Sequence, residues 1–180
     1  MAVNRIHILG ASGSGTTTLA QALEREHGYK WLCTDHAFWL PTHIPFVSPR
    51  PHSERIPLLA ATLEENPKWA LAGSLCGWGD VFIPQFELVI YIYTPAEIRL
   101  ERLKRREFEL HGKRVREGGD MFDIHTDFVK WAMSYDTADA SSRSAKLHEN
   151  WLAQLACPIV RLDGTHTSQQ HFIQLQEFLQ

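Results

Sequence analysis

Gly10-Ala11-Ser12-Gly13-Ser14-Gly15-Thr16-Thr17, reading GASGSGTT, follows the apolar run Ile6-His7-Ile8-Leu9 and precedes the helical pattern Thr18-Leu19-Ala20-Gln21-Ala22-Leu23. Strand, glycine loop and helix in this order is the context in which G-x-x-x-x-G-K-[ST] marks a phosphate-binding loop. Glycines 10, 13 and 15 let the chain take positive φ and bring bare N–H groups toward an anion. The helix that starts near Thr16 aims its unpaired N–H groups and its positive dipole end at the same point. The candidate nucleotide-binding residues are therefore Gly10, Ala11, Ser12, Gly13, Ser14, Gly15, Thr16, Thr17 and Thr18, with the Thr17 hydroxyl placed where such loops hold Mg²⁺. One element departs from the pattern: Thr16 stands where lysine is expected. Lysine would bring a mobile positive charge to the β/γ-phosphates, whereas threonine offers one neutral hydrogen bond, a weaker electrostatic partner. The plainer reading of the stretch is a glycine-rich turn that only links strand to helix.

Composition narrows the classes. The chain has 180 residues, 44% hydrophobic and 22% charged, as expected of one ordinary globular domain spanning 1–180. A net charge of −3 argues against bulk electrostatic binding to nucleic acid. Three widely spaced cysteines, Cys33, Cys76 and Cys157, form no C-x-x-C pair, so neither a disulfide framework nor a zinc site is expected, and the ten histidines show no metal-ligand spacing. The first strand starts within a few residues of Met1 and no apolar run reaches ~18 residues, which predicts a cytoplasmic protein without membrane contact.

Further along, strand-like and helix-like segments alternate. Lys30 to Cys33 reads as a second strand ending at Thr34-Asp35, and a helix is expected from about Ser53 to Asn66, with Pro57 in its first turn. Trp69 to Ala72 reads as a third strand before Gly73. Leu88 to Tyr93, LVIYIY, is the clearest strand, apolar throughout as when both faces are covered. Thr94-Pro95-Ala96-Glu97 predicts a helix start, with Thr94 as N-cap and Glu97 completing a capping box. A last strand, Ile159 to Leu162, precedes Asp163-Gly164 and an amphipathic C-terminal helix. This order predicts a three-layer α/β/α fold, a five-stranded parallel sheet with helices on both faces. Its ligands belong at the carboxyl ends of the strands, where the glycine loop, Asp35, Gly73 to Asp80 and Asp163 fall.

The glycine loop, the Asp-containing turn after the second strand, the glycine turn after the third, TPAEIRLERLKRRE and LDGT together resemble the nucleoside monophosphate kinase group. More broadly the chain resembles the adenylate kinase, shikimate kinase and gluconate kinase fold of P-loop phosphotransferases. Within that group it is similar to the adenylate-kinase-related proteins labelled topology modulation or P-loop ATPase proteins, whose TD-x-x-x-W segment is like Thr34-Asp35-His36-Ala37-Phe38-Trp39. The resemblance covers most of the chain and is weakest between about 107 and 157.

The resemblance implies roles. Arg102 matches the arginine laid against the nucleotide base and Arg106 one that contacts transferring phosphate; the two are one helical turn apart on a shared face. A solvated face running from Arg99 to Arg106 is the plainer alternative. Asp163-Gly164-Thr165 matches the turn beside the adenine. Ala72 stands where adenylate kinases carry an acidic residue, so the metal's carboxylate must come from elsewhere. Asp35 is the first candidate, holding Mg²⁺ or accepting a proton from an attacking hydroxyl; Asp80 is the second, and a helix-capping Asp35 is the plain alternative. Residues 107–120 match a lid that brings arginines to the phosphates, with Lys113, Arg114 and Arg116 as candidates, Arg143 and Lys146 from the far side, and an exposed loop without a role as the alternative. Residues 35–66 are the acceptor-binding segment. The expectation is an ATP- and Mg²⁺-dependent phosphotransferase with Asp35, Arg102, Arg106 and Arg114 as catalytic residues and a small-molecule acceptor, acting as monomer or homodimer. A nucleotide-binding module or a slow NTPase is the alternative.

Overall fold

The computed structural model describes residues 2–180. Five parallel strands, β1 (Arg5–Gly10), β2 (Lys30–Cys33), β3 (Trp69–Ala72), β4 (Leu88–Tyr93) and β5 (Ile159–Asp163), form one sheet in the order β2-β3-β1-β4-β5. The central strand β1 pairs with β3 through Ile6↔Ala70 and with β4 through Ile8↔Ile90. The chain therefore leaves β1 toward one side of the sheet and returns to fill the other. That reversal puts a crevice beyond the carboxyl end of β1, where the glycine loop begins.

Side-chain alternation sorts each strand between two cores. Leu9, Trp69, Leu71, Val89 and Tyr91 point to one face. They meet Leu59 and Leu63 of α3 (His52–Glu64) and Trp151 and Leu152 of α6 (Ala145–Leu152). Ile6, Ile8, Ala70, Leu88 and Ile90 point the other way. There they pack on α1 (Thr16–His27) and α7 (Ser168–Leu179), through Leu19, Leu23 and Leu175. The period of two in a strand buried on both faces thus yields the three expected layers.

Two helix starts differ from expectation. The helix after β4, α4 (Ala96–His111), has no side-chain cap; its N-cap position is Pro95. The Thr94 hydroxyl instead donates to the Ser14 carbonyl at 3.0 Å, so a residue that reads as a local cap ties β4 to the glycine loop. Tertiary pairing with a buried carbonyl outcompetes the capping box. In α3, Pro57 is the sixth residue and not in the first turn; Ser53, whose carbonyl it leaves unpaired, is exposed to water.

Two buried histidines make the fold acid-sensitive. His7, in the middle of β1, sits between Phe86 and Trp151, and burial pulls its pKa down to about 4. Burial likewise lowers His148 to about 3, helped by the nearby Arg143 charge. Both are neutral in the folded chain but protonate near pH 6.5 when unfolded, so the unfolded state takes up more protons as pH falls below 6.5. Stability is then full above about pH 7 and declines toward pH 4. Between pH 7.5 and 5 each histidine is expected to cost about 2 kcal/mol. Urea denaturation at the two pH values checks this, and His7→Phe should remove about half of the loss.

Candidate active site

The glycine loop is held from below. Gly10 ends β1 so close to its surroundings that a Cβ would meet Ser14 Oγ at 2.5 Å and the Ile92 carbonyl at 2.6 Å. Gly13 turns at φ +81° against the Arg99 carbonyl, and Gly15 at φ +105°. The Ser14 amide bonds back to the Ala11 carbonyl at 3.1 Å, which closes the turn. The first intrahelical bond, from the Leu19 amide to the Gly15 carbonyl, leaves the amides of the first turn aimed into the loop. No side chain caps α1 and no acidic residue lies in its first turn. A twelve-residue helix dipole with an uncapped N-terminus facing a glycine concavity has the geometry that can receive an anion.

A cleft of about 490 Å³ opens above this end. Gly13 to Leu19 form its floor, Arg102, Arg106 and Glu109 one wall, and Gly164, His166 and Thr167 the other. Arg102 Nη2 donates to the Gly164 carbonyl at 2.9 Å and joins the two walls. Gly164 has no room for a side chain: a Cβ would meet Thr94 Oγ1 at 1.9 Å. Asp163 turns its carboxylate onto the Thr165 amide and hydroxyl, at 2.9 and 2.7 Å, and these bonds lower its pKa. It shapes the turn, and Gly164 lines the cleft.

The remaining arginines are differently engaged. Arg106 bonds Glu107 at 2.7 Å and Arg114 bonds Asp120 at 2.7 Å. Arg99, in the first turn of α4, is fully buried rather than part of a solvated face. It donates to the Thr94 carbonyl at 2.9 Å and the Ala132 carbonyl at 3.2 Å, and pairs with Asp136. Residues 107–115 are helical: α4 runs on to His111 and Gly112–Val115 form a 3-10 turn, after which the Met121 amide bonds back to the Arg114 carbonyl at 3.0 Å. Arg116 lies 4.3 Å from the Phe108 ring centre.

A second hollow, of about 230 Å³, lies at the end of β2 and is lined by Asp35, His36, Trp39, Phe46 and Arg50, among others. Asp35 is the second residue of the short helix α2 (Thr34–Phe38), which has no side-chain cap, so its carboxylate is not consumed as a cap. Arg50, by contrast, is spent on the Ala37 and Trp39 carbonyls at 3.1 and 3.4 Å and on Glu54 at 3.6 Å. Phe46, at φ +62°, is the one non-glycine residue in the left-handed region among those described. Its ring stands 57% exposed, 6.2 Å from Trp39. The wall of this hollow is aromatic, with little free positive charge. Asp80 accepts the Trp151 indole N–H at 2.7 Å, a structural role that leaves Asp35 as the carboxylate facing a hollow. Trp78 is buried against Phe38 in the core.

Among the described residues no three His, Cys, Asp or Glu side chains cluster to cage a metal. Thr17 lines the cleft and Asp35 the second hollow; a hydroxyl and a carboxylate are donor types that Mg²⁺ takes alongside water and phosphate oxygens.

Residues 6–125 match the AAA domain family. The chain belongs to that family. A relative from Bacillus subtilis (strain 168), the uncharacterized protein YqaC, is 44% identical over 158 residues, 88% of this chain and 87% of that one. Among solved structures, this AAA-domain chain is similar to a sugar kinase from Janibacter sp. HTCC2649, with TM-score 0.53 and 19% identity over 98% of this chain and 94% of that one. It is also similar to a shikimate kinase from Acinetobacter baumannii, with TM-score 0.53 and 17% identity over 99% and 96%. A gluconokinase from Sinorhizobium meliloti 1021 gives TM-score 0.50 and 16% identity over 98% and 91%. At these identities the likeness is one of fold: the α/β fold of P-loop kinases.

Sequence reasoning missed the buried chain of hydroxyls and imidazole behind the site. Tyr91 and Tyr135 share a hydrogen bond of 3.0 Å, Tyr135 meets His148 Nδ1 at 2.7 Å, and His148 Nε2 meets Ser74 Oγ at 3.2 Å. Its members lie up to 74 residues apart in segments without a motif, so no spacing signals it. No described helix is long and apolar enough to cross a membrane.

Proposed function

We propose that the protein is an ATP-dependent phosphotransferase that moves the γ-phosphoryl group to a hydroxyl of a small-molecule acceptor, in the manner of the adenylate-kinase-related P-loop proteins. The observation that carries this reading is the uncapped N-terminus of α1 beneath the glycine loop, opening into a cleft whose neighbouring hollow presents Asp35. The amides of Gly13 to Thr18 would hold the ATP phosphates, and Asp35 at the second hollow would face the acceptor. Arg102 and Gly164 flank the nucleotide base, and Arg106 and Arg114, exchanging their present carboxylate partners for phosphate, serve under a lid of residues 107–120. Thr17 and Asp35 are the residues that would hold Mg²⁺, which would supply charge neutralisation at the phosphates. Asp35 accepts the acceptor's hydroxyl proton or steadies the metal's water. The site works within one domain, as monomer or homodimer, in the cytoplasm.

The second reading, a nucleotide-binding module or slow NTPase, is favoured by Thr16 alone, which leaves the loop without the usual lysine charge. Both readings are separated by ADP release from purified protein and Mg²⁺–ATP, with and without acceptors. The first panel takes its chemistry from the neighbours' names: a sugar, gluconate and shikimate, then nucleosides. The phosphotransferase reading expects at least one acceptor to raise ADP release tenfold or more with matching phosphoryl product. ADP release that no acceptor stimulates supports the module or NTPase.

A further inference from the structure

With Thr16 in the lysine position, a phosphate site at this loop lacks its usual cation, and the chain supplies one from an element 133 residues away. Arg143 Nη2 donates to the carbonyl of Gly10, the first residue of the loop, at 2.9 Å. Its Nε is buried and has no partner among the described residues. The position is built: Ser144 caps α6 by accepting the Leu147 amide at 3.0 Å and donates to the Asp139 carbonyl at 3.0 Å. The guanidinium also lies 5.8 Å from the Trp131 ring centre. Burial lowers its pKa from the ordinary value, and the Asp35 carboxylate leads the groups that oppose that shift. The guanidinium thus sits at the start of the glycine loop, within the electrostatic reach of the Asp35 carboxylate.

Of the cations lining the cleft, Arg106 is paired with Glu107 and Arg105 with Glu101, while Arg102 is engaged by the Gly164 carbonyl on the base side; Arg114 and Lys146, outside the cleft lining, are paired with Asp120 and Asp139. Arg143 has no carboxylate in ion-pair contact among the described residues. Arg143 is half-buried, and its buried Nε–H without an acceptor is a cost that an anion at the guanidinium relieves. A bound polyphosphate does so: its oxygens offer the planar fork what the apo site does not.

We infer that Arg143 takes the place of the missing loop lysine, reaching the β- and γ-phosphate oxygens of the nucleotide from the Gly10 end of the loop. The inference rests on the nucleotide reading of the loop and adds which side chain completes it. Arg102 holds the Gly164 turn on the base side; Arg143 stands at the Gly10 and Asp35 side.

A double-substitution cycle tests the assignment, with ATP and AMP binding measured by titration calorimetry in Mg²⁺ and folding checked by thermal unfolding. Arg143→Gln is expected to weaken ATP binding tenfold or more and AMP binding by less than threefold, since AMP lacks the outer phosphates. Thr16→Lys in the Arg143→Gln background is expected to restore ATP affinity by a factor at least ten times larger than it produces in the parent chain. Should Arg143→Gln fail to fold, Arg143→Met carries the same comparison, keeping the apolar stem and removing the charge. A parent chain that binds ATP, with Arg143→Gln equal to it or with Thr16→Lys acting equally in both backgrounds, overturns the inference and leaves the nucleotide reading standing. A parent chain that binds no ATP at millimolar concentration removes both.

Discussion

Replacing Arg99 with methionine is expected to destabilise the fold by about 3 kcal/mol, the largest stability effect of any single charge-to-neutral change at the site. Methionine keeps most of the apolar stem but donates nothing. The Thr94 and Ala132 carbonyls then lose their donors, and Asp136 loses its cation. Arg99 is 1% exposed, whereas Asp136 is about one third exposed, so its carboxylate recovers part of its hydration, and the cost falls at the low end for a broken buried pair. Asp136→Asn, which keeps an acceptor near the guanidinium, is expected to cost about half as much. The change also reaches the loop: Thr94, held by Arg99, holds Ser14 in turn. Equilibrium urea unfolding at pH 7.5 measures both variants. An Arg99→Met loss below 1 kcal/mol contradicts the buried-anchor account.

The largest effect on activity is expected at Asp35. Asp35→Asn preserves size and the hollow's shape but removes the negative charge that holds a metal water or takes a hydroxyl proton. General-base and metal-positioning carboxylates contribute roughly 100-fold or more, so acceptor-stimulated turnover should fall at least 100-fold while ATP affinity changes only a few-fold. Folding should survive, because the side chain caps no helix. Asp80→Asn provides the contrast: it weakens a bond to the Trp151 indole and should affect stability before rate. Steady-state turnover against ATP and acceptor concentration separates the two. Equal rates for Asp35→Asn and the parent would assign the hollow another purpose.

The sheet was legible because its strands carry both kinds of local signal. LVIYIY is apolar on both faces, and the glycine loop sits between an unmistakable strand and helix. The loop's geometry was legible too, since backbone amides at a helix start follow from spacing alone. Where tertiary partners decide, the sequence is silent. Thr94 carries every sign of an N-cap, yet its hydroxyl goes to Ser14. Arg99 reads as one of several charges on a solvated helix, and its burial depends on Asp136 and Ala132, which no periodicity ties to it. Arg143 shows the same limit, since its approach to Gly10 arises only when α6 packs behind β1. Asp35 and Asp80 both fall beyond strand ends, and it took Trp151, a core residue in sequence and in structure, to distinguish them.

The central claim is that the amides of GASGSGTT and the first turn of α1 receive a nucleotide's phosphates. Titrating ¹⁵N-labelled protein with Mg²⁺–ATP and following the backbone amides tests it directly. The account predicts saturable shifts that are largest at Gly13, Ser14, Gly15, Thr16 and Thr17, with smaller ones at Gly164 and Thr165. Saturable shifts centred elsewhere, with these amides unmoved, would contradict it.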